Sequence, residues 1–529
     1  MTELLTAAQM RAIEQAAIAS GTATGRDLME RAGRGVVEAV FEHWPDLAAA
    51  PFRAAVLCGP GNNGGDGFVV ARLLREWGWE AVAYLYGDPD KLPPDARANH
   101  DRWCGMGGRI SPIRAFDDVP RDRPDLVVDA LFGTGLSRGL DEIASHALGV
   151  MEIMRSWDRP ARVVAVDMPS GYCADSGRRL FETSEVVARY RQRRPGADLT
   201  VTFERLRLGH RLDRAALASG KVAVKPLGIR HESDGPLCNS ATPIATECRI
   251  DARWLGKRTG AHKYSHGHAL ILSGGTGRTG AARLAARGAL RIGAGLVTLA
   301  VPPAAQSEVA GQVTAIMLRR VADGDGLAAL LGDTRLNALC LGPGLGLGDR
   351  ARDLVAAALD CRRAIVLDAD ALTLAGGDTA LFSALHENCV LTPHGGEFAR
   401  LFPDLADRLE ASPTRGPAYS KVDATRAAAG RAGCTVLFKG PDTVIAEPGG
   451  RCVVNPAHGE RAAPWLATAG SGDVLAGFVT GLLARGLTPM QAAESAAWLH
   501  VECARSFGPG LIAEDLPEQL PAVFRALDL

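Results

Sequence analysis

Residues 467–481 combine residue types suited to phosphoryl transfer. The glycines and serine of 470–472 can present bare backbone N–H groups in a tight turn, and the apolar run from Val474 onward predicts a buried helix. Such a turn favours an anion, because unpaired N–H groups and the helix dipole both attract negative charge. Asp473 would lie beside that anion, where a carboxylate suits a general base acting on an attacking hydroxyl. The alternative for this string alone is that Asp473 caps the helix.

Three polar, glycine-bearing stretches in the first half follow predicted strands. They are residues 59–67, 129–139 and 167–171. In an open α/β sheet, ligands bind beyond the carboxyl ends of the strands, so we expect these stretches to converge. Asn63, Asp129 and Ser170 offer only oxygen donors, which suit a hard cation rather than a transition metal. The alternative is that the aspartates cap helices and the glycines only form turns.

Short apolar strands alternate with helices along the whole chain. The periodicity predicts two helices over 7–43, broken by Gly21 and Gly25, then strands at 54–58, 81–86, 126–130, 162–167 and 199–203, with a helix at about 68–77. A polar segment at 232–242 marks a domain boundary. Further strands are predicted near 268–273, 296–301, 338–341, 364–368, 389–392 and 435–439. This order predicts mainly parallel sheets covered on both faces.

Composition limits the class of protein. At 529 residues the chain is too long for a single domain with one ordinary hydrophobic core. Its composition, 47% hydrophobic and 22% charged, is ordinary for a globular protein. The net charge of −1 gives no indication of binding to nucleic acid or to an acidic membrane surface. Residues 1–5 do not form a secretory signal, and no run is long enough for a membrane span. The 11 cysteines include no Cys-x-x-Cys pair. We therefore expect reduced core thiols, among them Cys58, Cys340 and Cys434, in a cytoplasmic protein.

The N-terminal motifs resemble the NAD(P)H-hydrate epimerase family. The resemblance rests on residues 59–67, 129–139, 167–171 and the helical string 28–33, and it covers about residues 7–230. It implies a Rossmann-like three-layer domain over 1–232, a potassium ion on Asn63, Asp129 and Ser170, and Asp167 as the catalytic group. The implied residues that hold the hydrated nucleotide are Asn62, Asn63, Gly64, Gly65, Asp66, Gly133, Thr134, Gly135, Leu136, Ser137, Arg138, Gly139 and Asp167.

The C-terminal motifs resemble the ADP- or ATP-dependent NAD(P)H-hydrate dehydratase family. They lie at 273–281, 341–346, 367–372, 392–398, 438–443 and 467–473. The resemblance implies a ribokinase-like domain over 245–529 after a linker at 233–244, with Asp473 as the base. It further implies ADP with magnesium as phosphoryl donor, hydrated NADH or NADPH as substrate, and a homo-oligomer. The implied nucleotide contacts are Lys439, Gly440, Pro441, Asp442, Thr443 and Gly472, and the implied substrate contacts are Ala281, Gly346, His394 and Asp473.

Two residues depart from the dehydratase pattern. Tyr264 follows His262-Lys263 where the family has a glycine, and Trp465 precedes the 467–473 turn where a smaller residue is expected. Neither departure removes a proposed catalytic group. His262, His266 and His268 could suggest a metal site. A surface or strand-start cluster is favoured instead, because no acid or cysteine with ligand spacing lies near.

Together the two halves imply a two-step repair of hydrated NADH or NADPH, in which the first half epimerises and the second dehydrates the S epimer. Three other functions remain open. In the first, the second half of the chain is a small-molecule kinase that releases a stable phosphoester. In the second, the first half binds a nucleotide or a partner without turnover. The third is a dehydrogenase, since a dinucleotide-binding fingerprint is matched by Gly59, Gly61 and Gly64, with Asp88 at the expected distance. This dehydrogenase interpretation is the weakest, because residues 62–66 would crowd a pyrophosphate loop.

Overall fold

The chain forms two compact units in a computed structural model that describes residues 2–121, 123–180, 196–229, 243–257 and 259–529. The N-terminal unit contains Thr2–Ala245 together with Ala411–Ser420, and the C-terminal unit contains Thr246–Glu410 and Lys421–Leu529. The predicted linker 233–244 falls almost entirely on 230–242, which lie outside the described residues.

The N-terminal unit is built around a parallel sheet. Its strands are β1 (Glu3–Leu5), β2 (Arg53–Cys58), β3 (Glu80–Leu85), β4 (Arg109–Pro112), β5 (Leu126–Ala130), β6 (Arg162–Val166), β7 (Leu199–Phe203), β8 (Leu206–Arg207) and β9 (Lys221–Lys225). Its helices are α1 (Ala7–Ala19), α2 (Gly25–His43), α3 (Asn62–Glu76), α4 (Pro94–Gly105), α5 (Glu142–Arg155) and α6 (Asp213–Ala218).

Seven of these strands form one sheet in the order β4-β3-β2-β5-β6-β7-β9, while β1 pairs with β8. Successive residues of a strand face opposite layers. Val56 and Val128 pack in one core with Phe68 of α3, whereas Leu57 and Val127 pack in another core with Leu148 of α5. The order reverses between β2 and β5, so their carboxyl ends open the crevice where α/β sheets bind ligands.

The C-terminal unit also has a mainly parallel sheet. Its strands are β10 (Ala245–Glu247), β11 (His268–Leu272), β12 (Leu296–Val301), β13 (Met317–Arg320), β14 (Leu336–Leu341), β15 (Ala364–Leu367), β16 (Cys389–Leu391), β17 (Thr435–Phe438), β18 (Asp442–Ala446) and β19 (Cys452–Pro456). Its helices are α7 (Gly280–Arg291), α8 (Gln306–Ala310), α9 (Gly324–Leu330), α10 (Asp349–Asp360), α11 (Ala369–Gly377), α12 (Thr379–Ser383), α13 (Gly395–Leu401), α14 (Pro403–Glu410), α15 (Lys421–Ala432), α16 (Ser471–Ala484), α17 (Pro489–Phe507) and α18 (Asp515–Ala526).

The strand order runs β13-β12-β11-β14-β15-β16-β17-β18-β19, and only the pairs that involve β18 within this run are antiparallel. The order reverses between β11 and β14, so this unit too has a switch point. Helix α16 is buried from Val474 to Ala484 and packs on α7. A Cβ at Gly477 would overlap the backbone of Ala285, so the two helices approach as closely as glycine permits.

The predicted α/β class is confirmed, and one element begins earlier than predicted. The helix expected at about 68–77 is α3, which starts at Asn62. The polar string 62–67 is therefore the first turns of a helix and not a loop. Glycine lowers helix propensity, so sequence reasoning misplaced the start. These glycines are required by close packing, since a Cβ at Gly64 would overlap the carbonyl of Gly59.

Within the described ranges no helix combines the length and apolar character that a membrane span requires. Cys58, Cys340 and Cys434 are buried free thiols, as the sequence predicts.

Candidate functional site

Asp167 is a buried acid of the N-terminal unit whose carboxylate has several polar partners. It follows β6 with a left-handed backbone (φ 66°) and is 7% exposed. Its carboxylate accepts hydrogen bonds from the Thr134 amide at 2.9 Å and the Thr202 hydroxyl at 3.0 Å, and Arg207 lies 3.4 Å away. Burial alone would raise the pKa of Asp167, but Arg207 and these donors outweigh it and hold the pKa below its usual value. Asp167 is therefore an ionised acceptor at neutral pH.

His210 fixes the backbone of Asp167. Its Nδ1 accepts from the Arg207 amide at 3.0 Å, and its Nε2 lies 2.7 Å from the carbonyl of Asp167. Burial lowers the pKa of His210 to about 3, so the ring is neutral and donates its Nε2–H to that carbonyl. Arg207 and His210 were not predicted from sequence, because neither forms part of a recognisable motif.

Asp66 has the opposite electrostatic environment. Burial raises the pKa of Asp66 well above its usual value, and the charges of Asp167 and Glu14 raise it further. Burial likewise raises the pKa of Glu14 in α1, which lies in the field of both Arg207 and Asp167. The pKa values of Asp167 and Asp66 are thus shifted in opposite directions, and two acids with separated pKa values suit general acid–base chemistry.

The predicted cation ligands are only partly brought together. The Ser170 hydroxyl donates to Asp129 at 2.6 Å and its amide donates to the same carboxylate at 2.8 Å. Burial raises the pKa of Asp129, and the bonds from Ser170 oppose that shift. Asn63 lies at the start of α3, where its buried Nδ2 has no hydrogen-bond partner among the described residues.

Gly133 brings the three predicted stretches of the first half against one another. A Cβ at this position would lie 2.6 Å from Asn63 Oδ1 and 3.0 Å from Asp167 Oδ2. Phe132 donates its amide to the Ser170 hydroxyl at 2.9 Å. The predicted convergence at the carboxyl edge of the sheet is therefore observed for Asn63, Asp167 and residues 132–134.

In the C-terminal unit, the turn before α16 has the expected form. Gly470 is the N-cap with a left-handed backbone (φ 88°), and Asp473 lies in the first helical turn. The Ser471 carbonyl accepts the Nε2–H of His500 at 2.9 Å. Burial lowers the pKa of His500 to about 4, so this ring is neutral and serves to hold the turn.

Lys439 lies at the centre of a cluster of charged side chains. Its Nζ donates to Asp368 Oδ1 at 2.8 Å and lies 3.7 Å from Glu397 Oε2. Burial would lower the pKa of Lys439, but the charges of Asp368 and Glu397 outweigh it, so the ammonium persists. A Cβ at Gly472 would lie 3.4 Å from the same Nζ. The cluster therefore links the connection between β17 and β18 to the 470–473 turn.

Asp473 differs from Asp167 in its electrostatics. Burial raises the pKa of Asp473 to about 6, with Asp368 and Glu397 adding to the shift and Lys439 opposing it. A carboxylate with a pKa in this range can hold a proton that it removes from a hydroxyl near neutral pH. Asp368 and Glu397 belong to the motifs at 367–372 and 392–398, but their place beside Asp473 was not predicted from sequence.

Of the predicted nucleotide residues, those at 439–443 lie in the connection between β17 and β18 and at the start of β18, and Gly472 lies in the first turn of α16. The Thr443 hydroxyl donates to the carbonyl of Gly440 at 2.8 Å, and Lys421 donates to Asp442 at 2.7 Å and to the Lys439 carbonyl at 3.2 Å. The hairpin is thus braced from α15, and Lys421 is a support that sequence reasoning missed.

The three predicted substrate contacts other than Asp473 lie in separate stretches of the C-terminal unit. Ala281 is in the first turn of α7, where its Cβ would meet a Cβ on Gly344 at 3.8 Å. Gly346 (φ 91°) donates its amide to Asp370 at 2.8 Å, and Asp370 is a further charge that raises the pKa of Asp473. His394 is the N-cap of α13, accepting the Gly396 amide at 3.0 Å with a half-exposed ring.

The two departures from the dehydratase pattern have exposed side chains, whereas His268 of the histidine cluster is buried. Tyr264 and Trp465 are 48% and 47% exposed. His268 is buried at the start of β11 and its Nε2 lies 2.7 Å from the Thr298 hydroxyl, in agreement with the strand-start interpretation. Among the described residues, no group of three or more His, Cys, Asp or Glu side chains could hold a metal ion.

One solved structure that is similar to this chain is that of an ADP/ATP-dependent NAD(P)H-hydrate dehydratase from Bacillus subtilis co-crystallized with ATP/Mg²⁺. The two sequences are 27% identical, the match covers 51% of this chain and 93% of the other, and the TM-score is 0.41.

Comparison with known sequences covers the whole chain. A family model described as YjeF-related protein N-terminus matches residues 25–209, and one described as NAD(P)H-hydrate dehydratase matches residues 269–520. The bifunctional NAD(P)H-hydrate repair enzyme Nnr of Moorella thermoacetica is 34% identical over 99% of this chain and 97% of its own length. The NAD(P)H-hydrate epimerase of Rhodobacter capsulatus is 50% identical over 43% of this chain and 100% of its own length. The chain therefore belongs to the family of bifunctional NAD(P)H-hydrate repair enzymes.

Proposed function

We propose that the chain repairs hydrated NADH and NADPH in two steps. Residues 1–232 interconvert the R and S hydrates, and residues 245–529 convert the S hydrate to the reduced cofactor at the expense of ADP. Similarity to repair enzymes over 99% of the chain supports both steps. The observation that carries the proposal is the placement of Asp473, with a pKa raised to about 6, beside an amide turn and a buried lysine.

The C-terminal unit would use Asp473 as a base. Asp473 takes the proton of the ring hydroxyl as that oxygen attacks the terminal phosphorus of ADP, and AMP leaves. The turn at 470–472 and Lys439 stabilise the charge of the transferring group. The ring nitrogen lone pair then expels phosphate, and loss of a proton from the neighbouring carbon restores the dihydropyridine double bond.

Magnesium fits the acids of this cluster. Asp368 is 2% exposed and Glu397 is 6% exposed, and both lie within 4 Å of Lys439 Nζ. Their carboxylate oxygens are the ligands that Mg²⁺ accepts, usually shared with phosphate and water. Bound magnesium would neutralise charge on the transferring phosphoryl group.

The N-terminal unit would use Asp167 and Asp66. Inversion at the hydrated carbon proceeds through a ring-opened or iminium state, so one group must accept a proton and another must donate one. The pKa of Asp167 is lowered and the pKa of Asp66 is raised, so we assign Asp167 as the proton acceptor and Asp66 as the proton donor. Residues 62–66 and 133–139, which meet at Gly133, would hold the nucleotide.

A potassium ion fits Asp129. This buried carboxylate accepts bonds from Ser170 and Leu131, but no Lys or Arg side chain in the described part of the chain forms an ion pair with it. A monovalent cation would balance its charge, and Asn63 and Ser170 would add neutral oxygen ligands. The ion would hold the 132–134 backbone in place against Asn63.

Asp473→Asn should abolish repair without affecting epimerisation. Purified protein is given mixed hydrate epimers, magnesium and either ADP or ATP, and recovery of reduced-nicotinamide absorbance is followed. We expect the variant to lose about 10²- to 10⁴-fold in dehydratase rate, because a general base contributes that much. The epimerase rate, measured by chiral chromatography without nucleotide, serves as the control. A wild-type enzyme that accumulates a stable phosphoester would instead indicate a small-molecule kinase.

The dehydratase should lose activity in acid with a midpoint near the pKa of about 6 given for Asp473. Below this pH the base is protonated, so kcat/KM falls about ten-fold per pH unit. Lys439→Met should move the midpoint to higher pH, because the ammonium lowers the pKa of Asp473. Lys439→Arg keeps the positive charge and should leave the midpoint near its wild-type position. A flat profile between pH 5 and 8 would contradict the assignment.

Asp167→Asn should slow epimerisation by at least about 10²-fold, because the amide cannot accept the proton. The measurement is the exchange of pure R hydrate into S hydrate without nucleotide. Dehydration of pure S hydrate by the same preparation is the control, since it uses the other unit. Exchange at the wild-type rate would favour a binding module without turnover.

Removing potassium should lower the epimerase rate, and in the Asp129→Asn variant the epimerase rate should no longer depend on potassium. With sodium or choline in its place, the wild-type epimerase rate should fall several-fold and recover on titration with potassium chloride, because the buried charge of Asp129 is balanced only by a fitting cation. An equal response to sodium and potassium would show that ionic strength, and not a site, is responsible.

A further inference from the structure

A ten-residue segment from the C-terminal half of the sequence is structurally part of the N-terminal unit. This segment, Ala411–Ser420, runs between α14 and α15, which both belong to the C-terminal unit. We call it the strap. Its flanking helices are well separated in sequence from residues 133–139, so no local rule predicts the association.

The strap pairs with the loop at residues 133–139 through backbone hydrogen bonds. The Gly139 amide donates to the Thr414 carbonyl at 3.0 Å, and the Gly416 amide donates to the Ser137 carbonyl at 3.0 Å. Arg138 and Arg415 form an antiparallel bridge between these bonds. The loop thus gains a short strand partner in addition to its attachment to β5.

The strap is also anchored beyond that loop. Arg178 donates to the Ala411 carbonyl at 2.5 Å and to the Tyr419 carbonyl at 3.4 Å, so it binds both ends of the strap. The Ala418 amide donates to the sulfur of Cys173 at 3.3 Å, and Ala418 is buried in the same hydrophobic core as Leu136 and Leu180. Buried apolar contact and these backbone bonds distinguish the segment from a loop that merely lies on a surface.

The opposite end of the loop contacts the reacting acid. Thr134 donates its amide to Asp167 at 2.9 Å, and Gly133 lies against both Asp167 and Asn63. The loop is therefore fixed at its beginning by Asp167 and at residues 137–139 by the strap. Its conformation depends on both attachments, because the intervening residues have no regular secondary structure of their own.

We propose that the strap is a positioning element of the epimerase reaction: it holds residues 133–139 in the conformation that binds the hydrated nucleotide. This inference rests on the proposed function of that loop. The strap does not touch the reacting atoms. The strap orders the loop before substrate binds, so that less conformational entropy is lost on binding. Its main effect is therefore on KM.

Gly416→Ala tests the proposal in the full-length protein. A Cβ at Gly416 would lie 2.9 Å from the Leu136 carbonyl and 3.4 Å from Leu180, so the strap must move away from the loop. We expect KM for R hydrate to rise about ten-fold with kcat changed less than about two-fold, since small misplacements of binding groups are costly. Dehydration of pure S hydrate should be unchanged.

Gly430→Ala is the matched control. It makes the same substitution in the same half of the sequence, within α15, where a Cβ meets no atom within 4 Å. Its epimerase KM should equal that of the wild type. Hydrogen exchange of the peptide that contains Ser137–Gly139 should quicken in Gly416→Ala and remain slow in Gly430→Ala.

A second variant replaces the strap with ten alternating glycine and serine residues, which removes the buried Ala418 and retains the chain length. It should reproduce the rise in KM. Unchanged KM in both strap variants, with wild-type enzyme active as an epimerase, would overturn the proposal and leave the proposed function intact. A wild-type protein that does not exchange the epimers at all would instead overturn the function.

Discussion

Close contact of backbone with backbone at the two switch points is the constraint on which both sites depend. In the N-terminal unit a Cβ at Gly59 would overlap the carbonyl of Leu131, so the connections after β2 and β5 touch directly. In the C-terminal unit a Cβ at Gly274 would overlap the carbonyl of Gly344, which joins the connections after β11 and β14 in the same way. Only glycine permits such approach, and it brings amides and acids to one edge of each sheet.

The two units place their acids in contrasting electrostatic environments. Asp167 is buried, but Arg207 and two hydrogen-bond donors keep it ionised. Asp473 is surrounded by Asp368 and Glu397, and a single lysine offsets these charges only in part, so it binds a proton more readily. The charged neighbours of the two acids therefore shift their pKa values in opposite directions: the pKa of Asp167 lies below its usual value, and the pKa of Asp473 lies above it.

A neutral histidine supports the backbone beside each of these two acids. His210 donates to the backbone of Asp167 and His500 donates to the backbone of Ser471. Burial keeps the pKa of both rings low, at about 3 and about 4, so neither adds a charge that would disturb the neighbouring carboxylate. His210 therefore holds the backbone of Asp167 itself, and His500 holds the backbone two residues before Asp473.

The sequence by itself determined the features that depend on short-range pattern. The alternation of apolar runs with helices predicted the α/β class, and the strings at 59–67, 167–171 and 470–473 placed the candidate acids at strand ends and a helix start. It misplaced the beginning of α3, because residues that are poor helix formers in isolation are required there by packing against Gly59 and Met29.

Tertiary structure alone decided which groups face these acids. Lys439 reaches Asp368 across 71 residues of sequence, Thr202 reaches Asp167 across 35, and Ala418 reaches Cys173 across 245. Such partners follow from the order of strands in the sheet and from the path of the chain between units, neither of which is written in local residue pattern. The pKa of a buried acid is set by these distant neighbours, so the motif identified the carboxylates and the fold assigned their protonation states.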